Sequence, residues 1–412
     1  MSSRHMNIVM IPFHDCKKWI VEGYRTRDAH LAEHFCRDNR VDKLLVINRP
    51  TSLAEMCVKH KSWKTSRLDP TISVVENGRD YELCRINEKI YCLDVFLKDV
   101  VRVLLERKKW WHTAYSTTSV VEIIKKIIHD LMGDDCVLLI ENPVAVSIID
   151  NVQYRLLAYD AIDNWMYHPQ MRSLHEIVYS AYAAIEKKAD IIFTVSKSLT
   201  KQFGRNQSVY WLPNGVDIEY FKPAISSTIP KTPVIGYIGK IQDRVDFELV
   251  ERCLQEFPEN RFVFIGPAYS QQKRIKELKR EYKNITFLGD VPYPMLPAVM
   301  KQLDICVIPH RVDDLTNSMD PLKLYEYLAA GKPVVTTKVA GVEGISEYVL
   351  IADNNHEFVQ NIRILCGRLS SHDIEADRII ETIPQSRTWD YISNIFIDRL
   401  EDMMTEDGDA EE

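Results

Sequence analysis

Short apolar runs rich in valine and isoleucine alternate along this chain with longer segments in which apolar residues recur at helical spacing. Short runs of this kind are typical of strands buried on both faces, and the helical segments between them are typical of crossover connections. The pattern therefore predicts parallel sheets flanked by helices. In the first half, the predicted strands are residues 7–13, 43–47, 136–140, 154–159, 190–195 and 208–212, and the clearest helices are residues 30–36, 120–131 and 174–188.

Residues 71–93 do not follow this alternation. Two β-rich pieces, 72–75 and 81–92, surround Asn77-Gly78, and this dipeptide favours a two-residue hairpin turn. We therefore expect an antiparallel hairpin within the first half of the chain.

The alternation restarts after residues 223–231, which contain two prolines and two serines and are typical of a linker. Because 412 residues are long for one core, we expect two domains, residues 1–222 and 223–385. In two such sheets that face each other, the carboxyl ends of the strands border one cleft, where open parallel sheets bind ligands. The predicted strands of the second sheet are residues 233–238, 261–265, 284–288, 304–308 and 332–336.

One predicted helix has the residues needed to hold a nucleoside diphosphate, in a segment that reads DPLKLYEYLAAGKPVV from residue 320 to residue 335. Asp320 is a candidate N-cap, and Pro321 suits the first helical position, where a missing N–H costs nothing. The backbone N–H groups of Leu322 and Lys323 would then lie at the positive end of the helix dipole and could bind an anion.

The same helix could also bind a sugar diol. Glu326 is three residues beyond Lys323 on the same face, and its carboxylate can accept two hydrogen bonds from a ribose. Gly331 is placed to end the helix, before a new strand begins. The alternative is that Lys323 and Glu326 are solvated neighbours on a surface helix.

Three more segments accompany this helix: ADIIFTVS at residues 189–196, LPNGVD at 212–217 and FKP at 221–223. Together with PLKLYEYLAAGKPVV they resemble, in order and spacing, the motifs of GT-B glycosyltransferases, specifically retaining enzymes of the family 4 type. The resemblance covers residues 150–340 and, more loosely, both ends of the chain.

This resemblance implies a GT-B architecture, with two Rossmann-like, doubly wound parallel-sheet domains that face a cleft. The first domain would bind the acceptor and the second the nucleotide-sugar donor. A last helix, residues 386–404, would cross back to the first domain and precede an acidic tail at 405–412. A loop that reads LGDVPY, residues 288–293, resembles the base-binding loop of the family. The implied donor-binding residues are Gly239, Val291, Ser318, Met319, Asp320, Pro321, Leu322, Lys323 and Glu326.

Lys240 and Arg244 are the cations that the resemblance places beside the donor diphosphate, and both are catalytic candidates. Related enzymes have arginine directly after the glycine that aligns with Gly239 and lysine five residues further on. Here Lys240 takes the arginine position, whereas Val245 takes the lysine position. Positive groups at this point lower the barrier, because the departing nucleoside diphosphate gains negative charge as the sugar bond breaks.

The same cations would take the place of a metal ion. No DxD motif follows a predicted strand, so a metal-dependent GT-A fold is disfavoured. We expect neither a metal nor any cofactor besides the nucleotide diphosphate sugar as co-substrate.

The acidic signature of the family is incomplete in this chain. It consists of two glutamates with seven residues between them, and Glu326 matches the second. Ser318 stands in place of the first. Asp320 and Glu343 are candidates to supply the missing carboxylate.

In the first half, the segment YDAIDNW, residues 159–165, directly follows a predicted strand and resembles a segment that in relatives lies near the donor sugar. Asp160 and Asp163 are therefore candidates to orient the acceptor hydroxyl or to accept its proton. Asp163 could instead cap the helix that follows. In these enzymes the departing phosphate is thought to accept the proton, so no protein nucleophile is required.

The loop after the first predicted strand holds four more candidates for an acceptor or diphosphate site. Neither a GxGxxG motif nor a GxxxxGK[ST] motif is present, which disfavours a dinucleotide dehydrogenase and a P-loop enzyme. Solvated surface is an equally good interpretation of the two arginines. The four residues are His14, Gly23, Arg25 and Arg27.

Composition narrows the class of protein further. Hydrophobic residues make up 46% of the chain and charged residues 27%, which is typical of a soluble globular protein, and the net charge of −7 disfavours broad nucleic-acid binding. No apolar run reaches the length of a membrane helix and no secretory signal is evident, so we expect a cytoplasmic protein. The nine cysteines include no CxxC pair, so we expect reduced core residues and not a disulfide framework or a zinc site.

Two charged segments suggest contacts with solvent or membrane. Residues 98–112, KDVVRVLLERKKWWH, predict a basic helix with apolar residues at helical spacing. Such a helix could lie peripherally on the inner face of a membrane that carries a lipid-linked sugar; alternatively, it packs its valines and leucines into the core. Residues 401–412 are acidic, and we expect them to fray in solvent.

The sequence thus predicts a retaining glycosyltransferase that moves a hexose from a nucleotide diphosphate sugar, such as a UDP-sugar or GDP-mannose, to a glycan or lipid-linked acceptor. Bacterial polysaccharide biosynthesis is the typical setting for this chemistry. One alternative is a non-hydrolysing sugar-nucleotide epimerase of the same architecture. Another, favoured by Ser318 and Val245, is a non-catalytic sugar-nucleotide-binding member of a glycan-assembly complex.

Overall fold

A computed structural model describes residues 5–59, 63–225 and 232–409 of the chain. The chain folds into two compact units: Met1–Leu212 with Ser393–Glu412, and Pro213–Ile392. The sequence predicted the boundary between the two domains after residue 222, but the first segment of the first unit ends at Leu212. The loop after Leu212 belongs to the second unit, because the N–H of Val216 donates to the carbonyl of Arg387 at 2.8 Å. Most of the predicted linker, residues 226–231, lies outside the described residues.

The sheet of the first unit has a parallel core and an antiparallel edge. Its spatial order is β10-β9-β8-β7-β1-β2-β6-β5-β4, and the short β3 pairs with β6. The strands are β1 (Met6–Ile11), β2 (Val41–Ile47), β3 (Thr51–Ser52), β4 (Ser73–Asn77), β5 (Tyr81–Arg85), β6 (Ile90–Leu97), β7 (Val137–Ile140), β8 (Leu156–Ala161), β9 (Ile191–Thr194) and β10 (Val209–Trp211).

The hairpin predicted at Asn77-Gly78 is present, since β4 and β5 pair in antiparallel fashion around it. The second β-rich piece, predicted as one strand from 81 to 92, is two strands. A turn over residues 86–89 separates β5 from β6, and the N–H of Ile86 donates to the carbonyl of Ile90 at 2.9 Å. Only β6 then joins the parallel core, through β2.

The second unit is built on a parallel sheet in the order β13-β12-β11-β14-β15-β16. Every predicted strand of this half is present, and β16 is an addition that the sequence pattern did not indicate. The order reverses between β11 and β14, which is the switch point where sheets of this kind bind ligands. The strands are β11 (Ile235–Ile238), β12 (Phe262–Ile265), β13 (Ile285–Gly289), β14 (Ile305–Ile308), β15 (Val334–Thr337) and β16 (Val349–Ala352).

Helices connect the parallel strands and cover both sheets with their apolar faces. In chain order they are α1 (Cys16–Glu22), α2 (Arg27–Arg37), α3 (Leu53–Lys59), α4 (Val101–Glu106), α5 (Trp110–Tyr115), α6 (Thr118–Met132), α7 (His175–Lys188), α8 (Lys197–Gln202), α9 (Ile218–Phe221), α10 (Phe247–Glu256), α11 (Gln272–Glu281), α12 (Leu296–Met300), α13 (Leu322–Ala329), α14 (Asn355–Ser370), α15 (Ala376–Glu381) and α16 (Trp389–Asp409).

The last helix, α16, belongs to the first unit from Ser393 onward. There Phe396 stacks on Phe193 of β9, with ring centroids 3.8 Å apart. The sequence predicted a frayed tail from residue 401, which is wrong as far as Asp409, because the helix continues to that residue and buries Met404. Residues 410–412 lie outside the described residues.

Two other sequence expectations can be compared with the described residues. None of their helices is both long and apolar enough to cross a membrane. All nine cysteines lie in the described ranges and are free; Cys57 is exposed, so it is not the core residue that we expected.

Candidate functional site

Two glycines at strand ends make room for a lysine in the second unit. Gly239 follows β11 with φ +138°, and a Cβ there would lie 2.7 Å from Nζ of Lys323, the second residue of α13. Gly266 follows β12 with φ +139°, and a Cβ there would lie 2.1 Å from the carbonyl oxygen of Gly239. Only glycine fits both positions, so the backbone at the switch point of the sheet comes close to the Lys323 ammonium group.

Lys323 is held by two side chains from neighbouring strand ends. Its Nζ donates to the hydroxyl of Tyr237 at 3.1 Å and lies 3.5 Å from Nε2 of His310. Burial, followed by the charges of Lys323 and Arg244, lowers the pKa of His310 well below its usual value. His310 is therefore neutral at pH 7 and does not repel the lysine.

The surroundings of Lys323 are electropositive. Burial is the largest cause that lowers its pKa, to about 7, and the charges of Arg244 and Lys240 lower it further against the opposing effect of Glu326. Lys323 therefore lies beside a glycine backbone at the start of α13, where the charges of two further basic side chains also act. An anion bound at this point would relieve their repulsion and would also face the first free N–H groups of the helix.

Glu326 lies one turn further along α13 and contacts Tyr293, which follows the LGDVP loop. Burial, followed by the charge of Glu326, raises the pKa of the Tyr293 phenol well above its usual value, and a hydrogen bond to Glu326 contributes. Tyr293 in turn stacks on Tyr220, with centroids 5.1 Å apart. The half-buried Glu326 carboxylate is thus held in place beside the loop that contains Val291.

In the first unit, a cavity of about 470 Å³ lies at the carboxyl end of β1. Phe13 and His14 contribute from the loop after that strand, and Phe13 is held by a stack on Trp165 with centroids 3.6 Å apart. Trp111 of α5 is a second aromatic wall, and the guanidinium of Arg49 lies 5.1 Å from its ring centroid. The cavity therefore combines aromatic faces with polar side chains of both charges, a lining that suits a sugar.

Comparison with known proteins agrees with this geometry. Residues 232–368 match the family described as glycosyl transferases group 1. A Bacillus subtilis protein named as a teichuronic acid biosynthesis glycosyltransferase, TuaH, is 27% identical over 262 residues, which are 58% of this chain and 66% of TuaH. The chain thus spans less than two thirds of the length of that relative.

Two solved structures share the fold across nearly the whole chain. Sucrose-phosphate synthase from Thermosynechococcus elongatus superposes with a TM-score of 0.67 at 16% identity, covering 98% of this chain and 100% of that one. Anabaena HepE in complex with UDP-glucose superposes with a TM-score of 0.60 at 14% identity, covering 96% and 99%. Together, the family match, the relative and the shared fold support a GT-B glycosyltransferase of the family 4 type.

Several residues predicted for the donor site lie together in the second unit. Gly239 lies against the Lys323 ammonium group, and the charges of Lys240, Arg244 and Glu326 act on that group. Val245, at the position where the family has a lysine, is buried and forms a β-bridge with His310. This position therefore supplies no cation to the site.

Asp320 does not cap α13, and the sequence prediction is wrong on this point. Pro321 occupies the N-cap position and makes no side-chain cap. The buried Asp320 carboxylate instead accepts the N–H of Asn214 at 2.6 Å and the hydroxyl of Tyr325 at 3.1 Å, and Arg387 lies 3.4 Å away. Asp320 therefore connects the loop at residues 213–215 to the start of α13, and its carboxylate is not available to replace the missing glutamate of the family signature.

Ser318, at the position of the missing glutamate, bonds to nearby backbone carbonyls. The buried Ser318 hydroxyl donates to the carbonyl of Asp314 at 2.7 Å and reaches that of Leu315 at 3.0 Å. Glu343, the other candidate to replace the glutamate, is exposed. Met319, between Ser318 and Asp320, is buried.

In the first unit, the structure separates the four predicted loop residues. Gly23 ends α1 with φ 77°, where its N–H donates to the carbonyl of Trp19. Arg25 pairs with Glu22 at 2.8 Å. Of the four, His14 lines the cavity, where its Nδ1 lies 3.1 Å from Oδ2 of the buried Asp28.

Arg27 and Asp160 form a buried ion pair, so neither is available to a substrate as we predicted. Nε and one terminal nitrogen of Arg27 donate to the two carboxylate oxygens of Asp160 at 2.8 and 3.0 Å. Asp160 is completely buried, because the YD segment is the last part of β8 and not a loop. Asp163 is half-buried and accepts the N–H of Asn164 at 2.8 Å, so it does not cap a helix in the way we considered.

Sequence reasoning missed Arg49, Lys17 and Trp111 as residues of one cavity. They come from the ends of β2, α1 and α5, and no motif joins them. The segment that ends in Trp110-Trp111 was noted only for its amphipathic pattern. Within the described residues, no group of three His, Cys, Asp or Glu side chains is arranged to hold a metal ion.

Glu141, next to the ion pair of Arg27 and Asp160, should make the stability of the fold depend on pH. Its carboxyl group is completely buried, and burial, then the charges of Asp28 and Asp160, raises its pKa well above the usual 4.5; a hydrogen bond to Asp160 contributes. The folded state therefore keeps a proton that the unfolded chain loses above pH 4.5, so stability falls as the pH rises through this window.

We expect Glu141→Gln to remove this loss, since glutamine cannot ionise. Chemical denaturation at a series of pH values should show wild type losing up to about 1.4 kcal/mol per pH unit relative to the variant. Glu122→Gln, at an exposed position of α6, is the matched control and should follow wild type. Parallel profiles for wild type and Glu141→Gln would contradict a protonated Glu141.

Proposed function

We propose that this protein is a retaining glycosyltransferase that moves a hexose from a nucleoside diphosphate sugar to a glycan or lipid-linked acceptor. The observation that carries the proposal is the position of the Lys323 ammonium group against Gly239, at the switch point of the second sheet, where the charges of Arg244 and Lys240 also act on it. A diphosphate is the ligand that best suits several cations, an open glycine backbone and a helix start at one point.

The remaining donor contacts follow from the position of Glu326. Its carboxylate is one helical turn from Lys323 on the same face of α13, so one helix would contact both the diphosphate and the adjoining ribose. Tyr293 holds that carboxylate, so it would meet the ribose hydroxyls in a fixed orientation. The loop around Val291 would contact the base, mostly through backbone groups.

The transfer step would depend mainly on the charges of Lys323, Arg244 and Lys240. The acceptor oxygen bonds to the anomeric carbon as the bond from that carbon to the phosphate oxygen breaks, and the nucleoside diphosphate leaves. The acceptor proton goes to the departing phosphate oxygen, which supports retention on one face of the sugar. Positive groups fixed beside Lys323 stabilise the charge that develops on that phosphate. Asp160 has no part in this step, because it is buried and paired with Arg27.

The acceptor would bind in the cavity of the first unit. Aromatic faces such as that of Trp111 pack against sugar rings. Arg49 and Lys17 are held by Glu55 and Asp94, so they would supply hydrogen bonds to sugar hydroxyls more readily than a free positive charge. The relative TuaH is named for teichuronic acid biosynthesis, and this favours a glycan acceptor.

A second candidate function is donor binding without turnover. It is favoured by Ser318, whose hydroxyl is bonded to backbone carbonyls where the family has a glutamate. Both functions use the same donor site. They differ only in whether the bond between the sugar and the nucleoside diphosphate is broken.

The first test is thermal unfolding of the purified chain with UDP, GDP, ADP and TDP and with their sugars, in magnesium and in EDTA. A ligand at about 100 times its Kd stabilises the native state by about 2.7 kcal/mol, and a domain of this size gains about 2–4 °C per kcal/mol. We expect one diphosphate to give this shift in both buffers, and Glu326→Ala to lose most of it.

Glu347→Ala, which changes an exposed glutamate in the same unit, is the matched control and should keep the full shift. No shift with any diphosphate would overturn the donor site. A shift that Glu326→Ala retains would place the nucleotide elsewhere. Stabilisation without release of diphosphate from any sugar nucleotide would favour the binding function over the transferase.

A further inference from the structure

Helix α4 turns its apolar side chains toward solvent. None of its residues is buried, and Val101, Leu104 and Leu105 are 68%, 69% and 78% exposed. Because these positions are three and four residues apart, their side chains lie on one face of the helix. The segment therefore does not pack into the core, which was the alternative interpretation of its sequence pattern.

The charge of this segment is opposite to that of the chain. Residues 98–109 contain five basic and two acidic side chains in a protein whose net charge is −7. Asp99 and Glu106 both pair with Arg102, at 3.4 and 3.2 Å. The cations Lys98, Arg107 and Lys109 are exposed around the apolar face.

The exposed face is anchored to the fold at both ends. Before α4, Leu97 ends β6 and pairs with Ser52 of β3, from which α3 begins; Val58 of α3 is 78% exposed. After α4, Trp110 is buried and its indole N–H donates to Asp99 at 3.0 Å. Contacts with the folded unit on both sides of α4 therefore hold its exposed apolar side chains in place.

We propose that this surface, formed by residues 98–109, binds a bilayer that contains anionic lipids. Val101, Leu104 and Leu105 would enter the boundary between head groups and acyl chains, where burial of apolar side chains is favourable, and Lys98, Arg107 and Lys109 would contact lipid phosphates.

A second copy of the chain fits the same surface poorly. In a two-fold dimer the same patch lies on both subunits, so two segments that each carry an excess of positive charge would face each other. An anionic bilayer satisfies the apolar face and the cations together. It is therefore the occupant that the charges of this segment favour.

The surface also bears on the acceptor, and this step rests on the proposed function. Trp111, which lines the cavity of the first unit, directly follows the buried anchor Trp110. The ammonium of Lys108 lies 5.9 Å from the Trp111 ring centroid. An acceptor whose lipid portion stays in the bilayer could thus extend its sugar phosphate past Lys108 to Trp111.

Co-sedimentation of the full chain with vesicles tests the surface directly. We expect binding to vesicles of phosphatidylcholine with phosphatidylglycerol, weak binding to phosphatidylcholine alone, and release as salt is raised. Leu104→Glu/Leu105→Glu and Arg107→Glu/Lys109→Glu should each weaken binding to the anionic vesicles by about tenfold or more. Ile364→Glu, at a half-exposed aliphatic position of α14, is the matched control and should bind like wild type.

Each other outcome overturns the proposal. Absence of binding to anionic vesicles does so directly, and so does binding that both double variants retain. A dimer in solution that Leu104→Glu/Leu105→Glu dissociates would assign the face to a second copy. Nucleoside diphosphate stabilisation, measured on the same variants, reports the donor site separately, so a failure of membrane binding is distinguishable from a failure of the proposed function.

Discussion

Replacing Lys323 with methionine should lower kcat/KM for sugar transfer by about 10²–10³-fold, the usual effect of removing one preorganised group that stabilises developing charge. The ammonium group lies beside Gly239 and is held by Tyr237, so its charge has a fixed position at the switch point of the sheet. Methionine keeps the length and apolar volume of the lysine stem. The measurement is steady-state release of nucleoside diphosphate from the sugar nucleotide that stabilises wild type.

Donor affinity should also depend on pH through Lys323. Its pKa in the free protein is lowered to about 7, and a bound diphosphate would raise it, because the anion favours the charged form. Affinity is therefore greatest below pH 7 and falls as the pH rises through the pKa of the free protein. A sugar nucleotide is the right ligand for calorimetry, since its diphosphate is esterified at both ends and does not titrate near neutrality.

Lys338→Met is the control for this prediction, because Lys338 is an exposed lysine of the same unit that pairs with Asp353. It should leave both kcat/KM and the pH profile unchanged. Lys323→Met should flatten the profile as well as weaken binding. A variant with weaker binding but the wild-type pH dependence would assign the titration to another group.

The strands and the donor-site helix were predictable because their signals are local. A run such as residues 190–195 is long enough to identify a buried strand, and the spacing of Lys323 and Glu326 indicates one helical face. The glycine after β11 was predictable from the motif, whereas its reason became clear only with the Lys323 side chain packed against it.

The roles of Asp320 and Asp160 could not be predicted, because they depend on partners far away in the chain. Asp320 precedes a helix, as an N-cap residue does, but its carboxylate accepts the N–H of Asn214 from a loop 106 residues earlier. Asp160 pairs with Arg27, which is 133 residues away. A polar residue next to a motif is equally consistent with catalysis and with a buried pair until the fold brings its partner to it.

The ion pair between Arg27 and Asp160 leads to the second large effect. Arg27→Met should lower the free energy of unfolding by about 3–5 kcal/mol, because it leaves a carboxylate buried without its countercharge. Arg27 is 3% exposed and Asp160 is completely buried, so water cannot replace the lost contacts. Urea unfolding of the variant and wild type at neutral pH measures the difference. Arg102→Met, which breaks a half-exposed pair in the same unit, should cost less than about 1 kcal/mol.

The double variant Arg27→Met/Asp160→Leu separates a structural role from a catalytic one. Replacing both partners by apolar side chains removes the unpaired charge, so the double variant should regain much of the stability that Arg27→Met loses. If the pair acts only in the fold, turnover per folded molecule should recover as well. A double variant that is as stable as wild type but inactive would restore Asp160 to the role that its position in the YD motif first suggested, and would contradict a purely structural role for the pair.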